Sequence, residues 1–196
     1  IIDNVLSDSL LTSIQERIDA QEMPWYFLKN SARLDPKLIK QTPLNYSFYH
    51  EVCKPKFTSE TSYHIEVVSP LYDQTYSMGL ILKDLFELEK TYDIYRLRLG
   101  LTTSMNKIHK NTPHIDSTDP HKVILFYLND SDGDTYFYDK KHKIIDSVTP
   151  KENRAVLFDG SMLHSSSKPV EFVRRIVLNI NLMKEQNDKE SGNIMD

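Results

Sequence analysis

His114-Ile115-Asp116 places two metal-capable side chains one residue apart. Alternate residues of a strand share a face, so in extended backbone the imidazole and the carboxylate project side by side. A third ligand from another strand would complete a facial set of two histidines and one carboxylate. That set leaves positions open on Fe(II) for a co-substrate and oxygen. His164, which follows the apolar stretch ending at Phe158, is the candidate third ligand. Beyond it stand two adjacent arginines, Arg174 and Arg175, whose roles strand alternation separates. Phe172, Arg174, Ile176, Leu178, Ile180 and Leu182 form a nearly apolar face suited to packing against helices. Val173, Arg175, Val177, Asn179 and Asn181 form the opposite face, polar enough to line a wet pocket. Arg175 therefore points where it can grip the far end of a dicarboxylate in bidentate fashion.

Competing constellations fit their chemistry less well. Asp130-x-Asp132-x-Asp134 opens like a calcium loop, but Thr135 and Lys141 stand where glycine and an acid are required. A zinc site from His109, His114 and His121 has no helical His-Glu-x-x-His arrangement behind it. His50, His64 and His142 read as surface or satisfied core residues, and Trp25, Tyr26 and Phe27 as core aromatics. Cys53 is the single cysteine, which excludes an internal disulfide and a cysteine-based zinc site.

The elements that must position these groups come from 196 residues, 39% hydrophobic and 27% charged, with a net charge of -4. That is one domain's worth of sequence. The spacing predicts a helix capped at Ser7 or Asp8, with Leu10, Leu11, Ile14 and Ile18 on one face. A second helix is expected from an N-cap at Ser69 and Pro70 at its first position, running through Met78, Ile81, Leu82, Leu85 and Leu88. Strands are expected near Tyr92–Leu101, Pro113–Asp116, Val123–Leu128, Thr135–Tyr138, Ile144–Val148, Arg154–Phe158 and Phe172–Leu182. The expected organisation is a single domain over 1–183, with helical support in 1–90, a sheet-rich core in 91–183, and a polar tail over 184–196. No apolar run approaches the roughly 18 residues needed to cross a bilayer, so no membrane role is expected. No charged-then-apolar leader is visible, and an intracellular, cytoplasmic setting is the expectation. The acidic balance and the lack of a basic stretch interleaved with aromatics argue against nucleic acid as a partner.

Taken in order, the motifs resemble the prolyl 4-hydroxylase-like Fe(II)/2-oxoglutarate dioxygenases. The resemblance runs through His114-x-Asp116, Leu125-Phe126-Tyr127-Leu128-Asn129, Gly133-Asp134-Thr135-x-Phe137, Pro150-x-x-x-Arg154-Ala155-Val156-Leu157-Phe158, Leu163-His164 and Arg175-Ile176-Val177-Leu178-Asn179. It implies a mainly β chain with flanking helices around a double-stranded β-helix (jelly roll, cupin-like) core. It implies that His114, Asp116 and His164 hold Fe(II), that Arg175 holds the C5 carboxylate of 2-oxoglutarate, and that Tyr127 bonds the same carboxylate. The family's basic residue stands nine or ten positions after the distal histidine; Arg174 is at ten and Arg175 at eleven, so Arg174 remains the alternative anchor. Arg98 is the candidate for a pocket contact from the preceding strand.

The activity so implied is hydroxylation of a substrate C–H bond using O2 and 2-oxoglutarate, with ascorbate in support and succinate and CO2 released. A prolyl residue in a peptide is the first substrate expected, with a small molecule such as a free amino acid close behind. Two alternatives stand beside it: a non-catalytic metal- or ligand-binding module of the same fold, and an oxidative nucleic-acid demethylase.

Overall fold

Period-two patterning dominates the second half of the chain, and the structure converts it into two antiparallel sheets. The structure, a computed structural model, describes residues 1–30, 45–58 and 63–184. Its elements in order are β1 (Ile2–Asp3), α1 (Asp8–Asp19), β2 (Tyr26–Leu28), β3 (Ser47–Phe57), β4 (Tyr63–Val67), α2 (Tyr72–Leu85) and β5 (Tyr92–Thr103). There follow β6 (His109–Lys110), β7 (His121–Tyr127), β8 (Thr135–Tyr138), β9 (Ile144–Val148), β10 (Arg154–Asp159), β11 (Leu163–Lys168) and β12 (Arg174–Lys184). The larger sheet has the order β1-β10-β7-β12-β5-β3-β2, with β4 also on β3; the smaller has the order β6-β11-β8-β9.

Side-chain alternation on β12 decides how these layers stack. Ile176, Leu178, Ile180 and Leu182 join Leu11, Ile14 and Ile18 of α1 and Met78 and Leu82 of α2 in one core. On the other face, Val177 joins Val123, Leu125 and Tyr127 of β7, Val156 and Phe158 of β10, Phe137 of β8 and Val148 of β9 in a second core between the two sheets. Helices outside and a sheet-on-sheet interior make a mainly β chain with a double-stranded β-helix (jelly roll) core, as expected. Leu178 and Ile180 are fully enclosed, and truncating either to alanine costs about 2–5 kcal/mol.

Several expectations are corrected. The first ninety residues are not only helical support, because β2, β3 and β4 extend the larger sheet. β3 mixes Glu51, Lys54, Pro55 and Lys56 with aromatics, so no clean alternation announces it, yet it pairs with β5 from Phe48 to Cys53. The segment Pro113–Asp116 is no strand; only His114 makes an isolated bridge. Residues Leu163–Lys168, left between expected strands, form β11.

Ser69 and Pro70 precede α2 rather than start it. The Ser69 hydroxyl accepts the Leu71 N–H at 3.1 Å, and α2 begins at Tyr72. Tyr26 and Phe27 are exposed at 55% and 61%, pairing with Tyr49 and Phe48 across an outer strand rather than filling the core. Trp25 alone of that trio packs against the core. The expected tail lies, apart from Lys184, outside the described residues. Among the described residues no helix is long and apolar enough to cross a membrane.

The acidic loop between β7 and β8 works as an anchor. The Asp132 carboxylate accepts the backbone N–H groups of Val170 and Glu171, which ties down the turn leading into β12. That turn delivers Arg175 to the site.

Candidate active site

His114 and His164 are held together by backbone before any side chain is considered. Each N–H donates to the other's carbonyl, at 2.9 and 3.0 Å, so the two residues face one another as an antiparallel pair. Their rings stand 4.7 Å apart, and the Phe158 ring packs edge-on against His164 at 4.9 Å. His114 Nδ1 lies 3.3 Å from the Thr112 carbonyl and His164 Nδ1 lies 3.0 Å from the Met162 carbonyl. A carbonyl can only accept, so both Nδ1 atoms carry the proton and both Nε2 atoms keep a free lone pair.

Asp116 completes the group. Its Oδ1 is 3.6 Å from His114 Nε2 and 3.9 Å from His164 Nε2. Its Oδ2 accepts from the side-chain amides of Asn179 at 2.8 Å and Asn181 at 2.9 Å. One oxygen is thus saturated by donors from β12, and the other faces the two imidazoles. Ligand atoms of all three residues lie within 4.8 Å of one another, a group that can hold a metal ion. Among the described residues it is the one such group, so a zinc site from His109, His114 and His121 does not form.

The electrostatics suit a cation. Burial works to raise the Asp116 pKa, but the adjacent His114 and His164 rings, which share protons with it as pH falls, and Arg96 outweigh it, holding the carboxyl well below its usual value. For His164, burial and then the neighbouring His114 push the pKa down to about 4, so this ring is neutral and free to ligate at ordinary pH.

A cavity of about 130 Å³ opens beside these groups and reaches Arg175, which is 4% exposed. Among the described residues no carboxylate lies within 4 Å of the Arg175 guanidinium, and its buried Nε has no hydrogen-bond partner. Burial draws the Arg175 pKa below its usual value. A buried cation without a counterion is expensive, and an anionic ligand relieves it. Arg175 Nη2 donates to the Thr135 hydroxyl at 2.8 Å, which fixes the fork toward the cavity.

The two remaining anchors expected from sequence lie elsewhere. Arg174 points to the helix side and pairs with Asp19 at the end of α1 at 2.7 Å, so it cannot serve as the alternative to Arg175. Tyr127 is fully enclosed between the sheets rather than lining the cavity. Its hydroxyl meets Thr135 Oγ1 at 2.8 Å, and its ring lies under Arg175 at 5.4 Å. Thr135, which does line the cavity, stands where a direct contact from Tyr127 was expected.

Sequence reasoning missed the roles of Thr135, Asn179, Asn181 and Glu51. For the two asparagines the signal existed, since alternation already put them on the polar face with Arg175. Glu51 joins β3 to β5 by pairing with Arg96 and Arg98, a link no local pattern discloses.

Comparison with known proteins fits this geometry. Residues 101–183 match the family described as the 2OG-Fe(II) oxygenase superfamily. Among curated proteins, none matches this sequence. Among solved structures, an oxidoreductase of the 2OG-Fe(II) oxygenase family from Burkholderia pseudomallei superposes with a TM-score of 0.67 at 11% identity, covering 93% of this chain and 82% of that one. A prolyl hydroxylase from Trichoplax adhaerens, in complex with a hypoxia inducible factor oxygen degradation domain peptide fragment, superposes at 0.60 with 14% identity, covering 93% and 82%. The α-ketoglutarate-dependent epimerase SnoN of nogalamycin biosynthesis superposes at 0.57 with 12% identity, covering 93% and 77%. At these identities the likeness is one of fold.

Proposed function

We propose that this chain is an Fe(II)- and 2-oxoglutarate-dependent dioxygenase that hydroxylates a C–H bond of its substrate and releases succinate and CO2. The observation that carries the reading is one cavity with a His-Asp-His donor group and, apart from it, a buried guanidinium lacking a carboxylate partner. The donor set fits the metal, since two imidazole Nε2 atoms and one carboxylate oxygen converge while every other polar atom on those rings and that carboxylate is engaged.

His114, Asp116 and His164 would hold the iron, and Arg175 would hold the far carboxylate of 2-oxoglutarate. Bound there, iron and 2-oxoglutarate would supply the oxidation, with one atom of O2 going to the substrate C–H bond and the other to the co-substrate as it loses CO2 and becomes succinate. The protein's own work is positional. Asn179 and Asn181 stop the Asp116 carboxylate from rotating, and the Thr112 and Met162 carbonyls stop the imidazoles from flipping. Thr135 aims the Arg175 fork, and Tyr127 seals it from beneath. Phe158 gives the ring of His164 an apolar wall.

A prolyl residue in a peptide is the first substrate to test, a reading supported by the peptide-bound prolyl hydroxylase that shares the fold. Ascorbate would serve to keep the iron ferrous. Succinate release is the test, measured with Fe(II), ascorbate and 2-oxoglutarate against prolyl peptides and free amino acids. Turnover that needs iron and 2-oxoglutarate and vanishes in Asp116→Ala supports the oxygenase. No succinate with any addition would leave a metal-binding module without catalysis.

A further inference from the structure

A second cationic surface stands in the same cavity, away from Arg175. Asn179 stands four positions after Arg175 on β12, a span of about 13 Å in a strand. Across β5, Asn179 pairs with Arg98 and Asn181 pairs with Arg96. Arg98 is therefore one strand away from the amide that grips Asp116, close to the metal donors and remote from the Arg175 anchor. Both Arg96 and Arg98 line the cavity.

These two guanidiniums share one carboxylate. Arg98 donates from Nε to Glu51 Oε2 at 2.9 Å and from Nη2 to the same oxygen, while Arg96 Nε reaches Oε1 at 3.3 Å. Arg96 Nη1 donates to Asn181 Oδ1 at 3.4 Å, and Arg98 rests 4.6 Å above the Tyr49 ring. None of these contacts uses Arg98 Nη1 or Arg96 Nη2. The side chains of Arg96, Arg98 and Glu51 are 17%, 30% and 14% exposed, so all three charges are substantially desolvated. Such a cluster is a poor stabilising device, because desolvation consumes what attraction returns and apolar residues would wall a sheet equally well. Three guanidiniums (Arg96, Arg98, Arg175) and one carboxylate (Asp116) line the cavity, and Glu51, paired with Arg96 and Arg98, brings the balance of these five groups to one positive charge. A divalent ion together with dianionic 2-oxoglutarate leaves that excess of one positive charge unchanged.

We infer that Arg98, steadied by Glu51, Arg96 and Tyr49, is a specificity-determining residue that binds a carboxylate of the substrate undergoing hydroxylation. The substrate class is then a small carboxylic acid, such as a free amino acid or the C-terminal residue of a short peptide, rather than an internal residue of a long polypeptide. One excess positive charge and planar donors match a carboxylate better than a doubly charged phosphate monoester. The inference rests on the oxygenase reading, which supplies the place of the reacting atom.

The experiment uses the full chain loaded with Mn(II) and saturating 2-oxoglutarate under argon, so that Arg175 is occupied and no turnover occurs. The probes are N-acetylglycine and N-acetylglycinamide, and the readout is Mn(II)-induced relaxation of their carbon-13 signals. The acid is expected to show saturable enhancement and the amide to bind at least ten-fold more weakly. Arg98→Met should weaken the acid at least ten-fold, and Arg98→Lys should restore part of the loss. Equal binding of acid and amide, no binding of the acid, or an unchanged Arg98→Met variant would overturn the inference. Should Arg98→Met fail to fold, the acid–amide comparison on the wild-type protein decides alone. Failure of Mn(II) to bind, or equal binding in His164→Ala, would instead strike the oxygenase reading beneath it.

Discussion

The imidazoles of His114 and His164 face each other because their backbones exchange two hydrogen bonds, although the residues belong to segments far apart in the chain. The pairing makes the donor geometry a property of the fold and not of side-chain freedom. Removing one ring therefore leaves the scaffold standing. His114→Ala and His164→Ala should each abolish stoichiometric Co(II) binding in calorimetry while leaving the circular dichroism spectrum unchanged. Retained tight binding in either variant would remove that residue from the donor set.

Asp116 would offer a metal ion only its Oδ1, since Asn179 and Asn181 occupy its Oδ2. Loss of an outer partner of a metal ligand typically weakens metal binding by about 10–100-fold. Asn181→Ala should show a loss in that range, and the Asn179→Ala/Asn181→Ala pair a larger one. Calorimetric Kd values for Co(II) check this, alongside the Tm of the metal-free proteins, because a merely structural role would lower Tm and spare Kd.

Arg175 and Arg174 are neighbours with opposite fates, one buried at the cavity and the other bound to Asp19 on the helix side. A charge-assisted hydrogen bond contributes about 1.5–3 kcal/mol, so Arg175→Ala should raise the 2-oxoglutarate requirement by roughly ten-fold or more. Arg174→Ala should move it less than about two-fold, as expected for an exposed ion pair. Gly133→Ala should resemble Arg175→Ala more mildly, because its new Cβ would stand 2.7 Å from the Ser167 carbonyl and 3.2 Å from Arg175 Cδ. Titrating 2-oxoglutarate in a succinate assay ranks the three.

Asp3 ties β1 to β10 through a two-pronged pair with Arg154, at 2.6 and 2.9 Å. The Arg154 hydrogen bonds hold the Asp3 pKa down to about 2, against an ordinary 3.8. A carboxyl depressed in the folded state contributes stability above its unfolded pKa and loses it as pH falls toward its folded pKa. The difference in unfolding free energy between wild type and Asp3→Asn should be constant above about pH 5 and shrink between about pH 4 and 2. Screening at this half-exposed site limits it to about 1 kcal/mol or less. Urea unfolding across that range measures it.

What the sequence disclosed follows from the range of each interaction. Alternation along Arg174–Leu182 is local, and it correctly sent Arg175 to the cavity and Ile176, Leu178 and Ile180 to the helices. The apolar runs at 123–128, 135–138 and 154–158 likewise became β7, β8 and β10 within a few residues. Pairing partners are non-local, so β3 stayed hidden behind Pro55 and its lysines, and with it the Glu51 bridge to Arg96 and Arg98. Backbone–backbone bonding carries no side-chain signature, which is why the segment around His114 reads as a strand although a single bridge holds it. Resemblance points Tyr127 at the co-substrate, whereas packing between the sheets turns its hydroxyl to Thr135.

Whether His114, Asp116 and His164 hold one metal is decided by a crystal structure grown without oxygen with Mn(II) and 2-oxoglutarate. The expected result is a single ion bound by His114 Nε2, Asp116 Oδ1 and His164 Nε2, its remaining positions taken by 2-oxoglutarate and water, with the far carboxylate of 2-oxoglutarate on Arg175. An ion closed in by a fourth protein ligand, or 2-oxoglutarate bound away from Arg175, would contradict it.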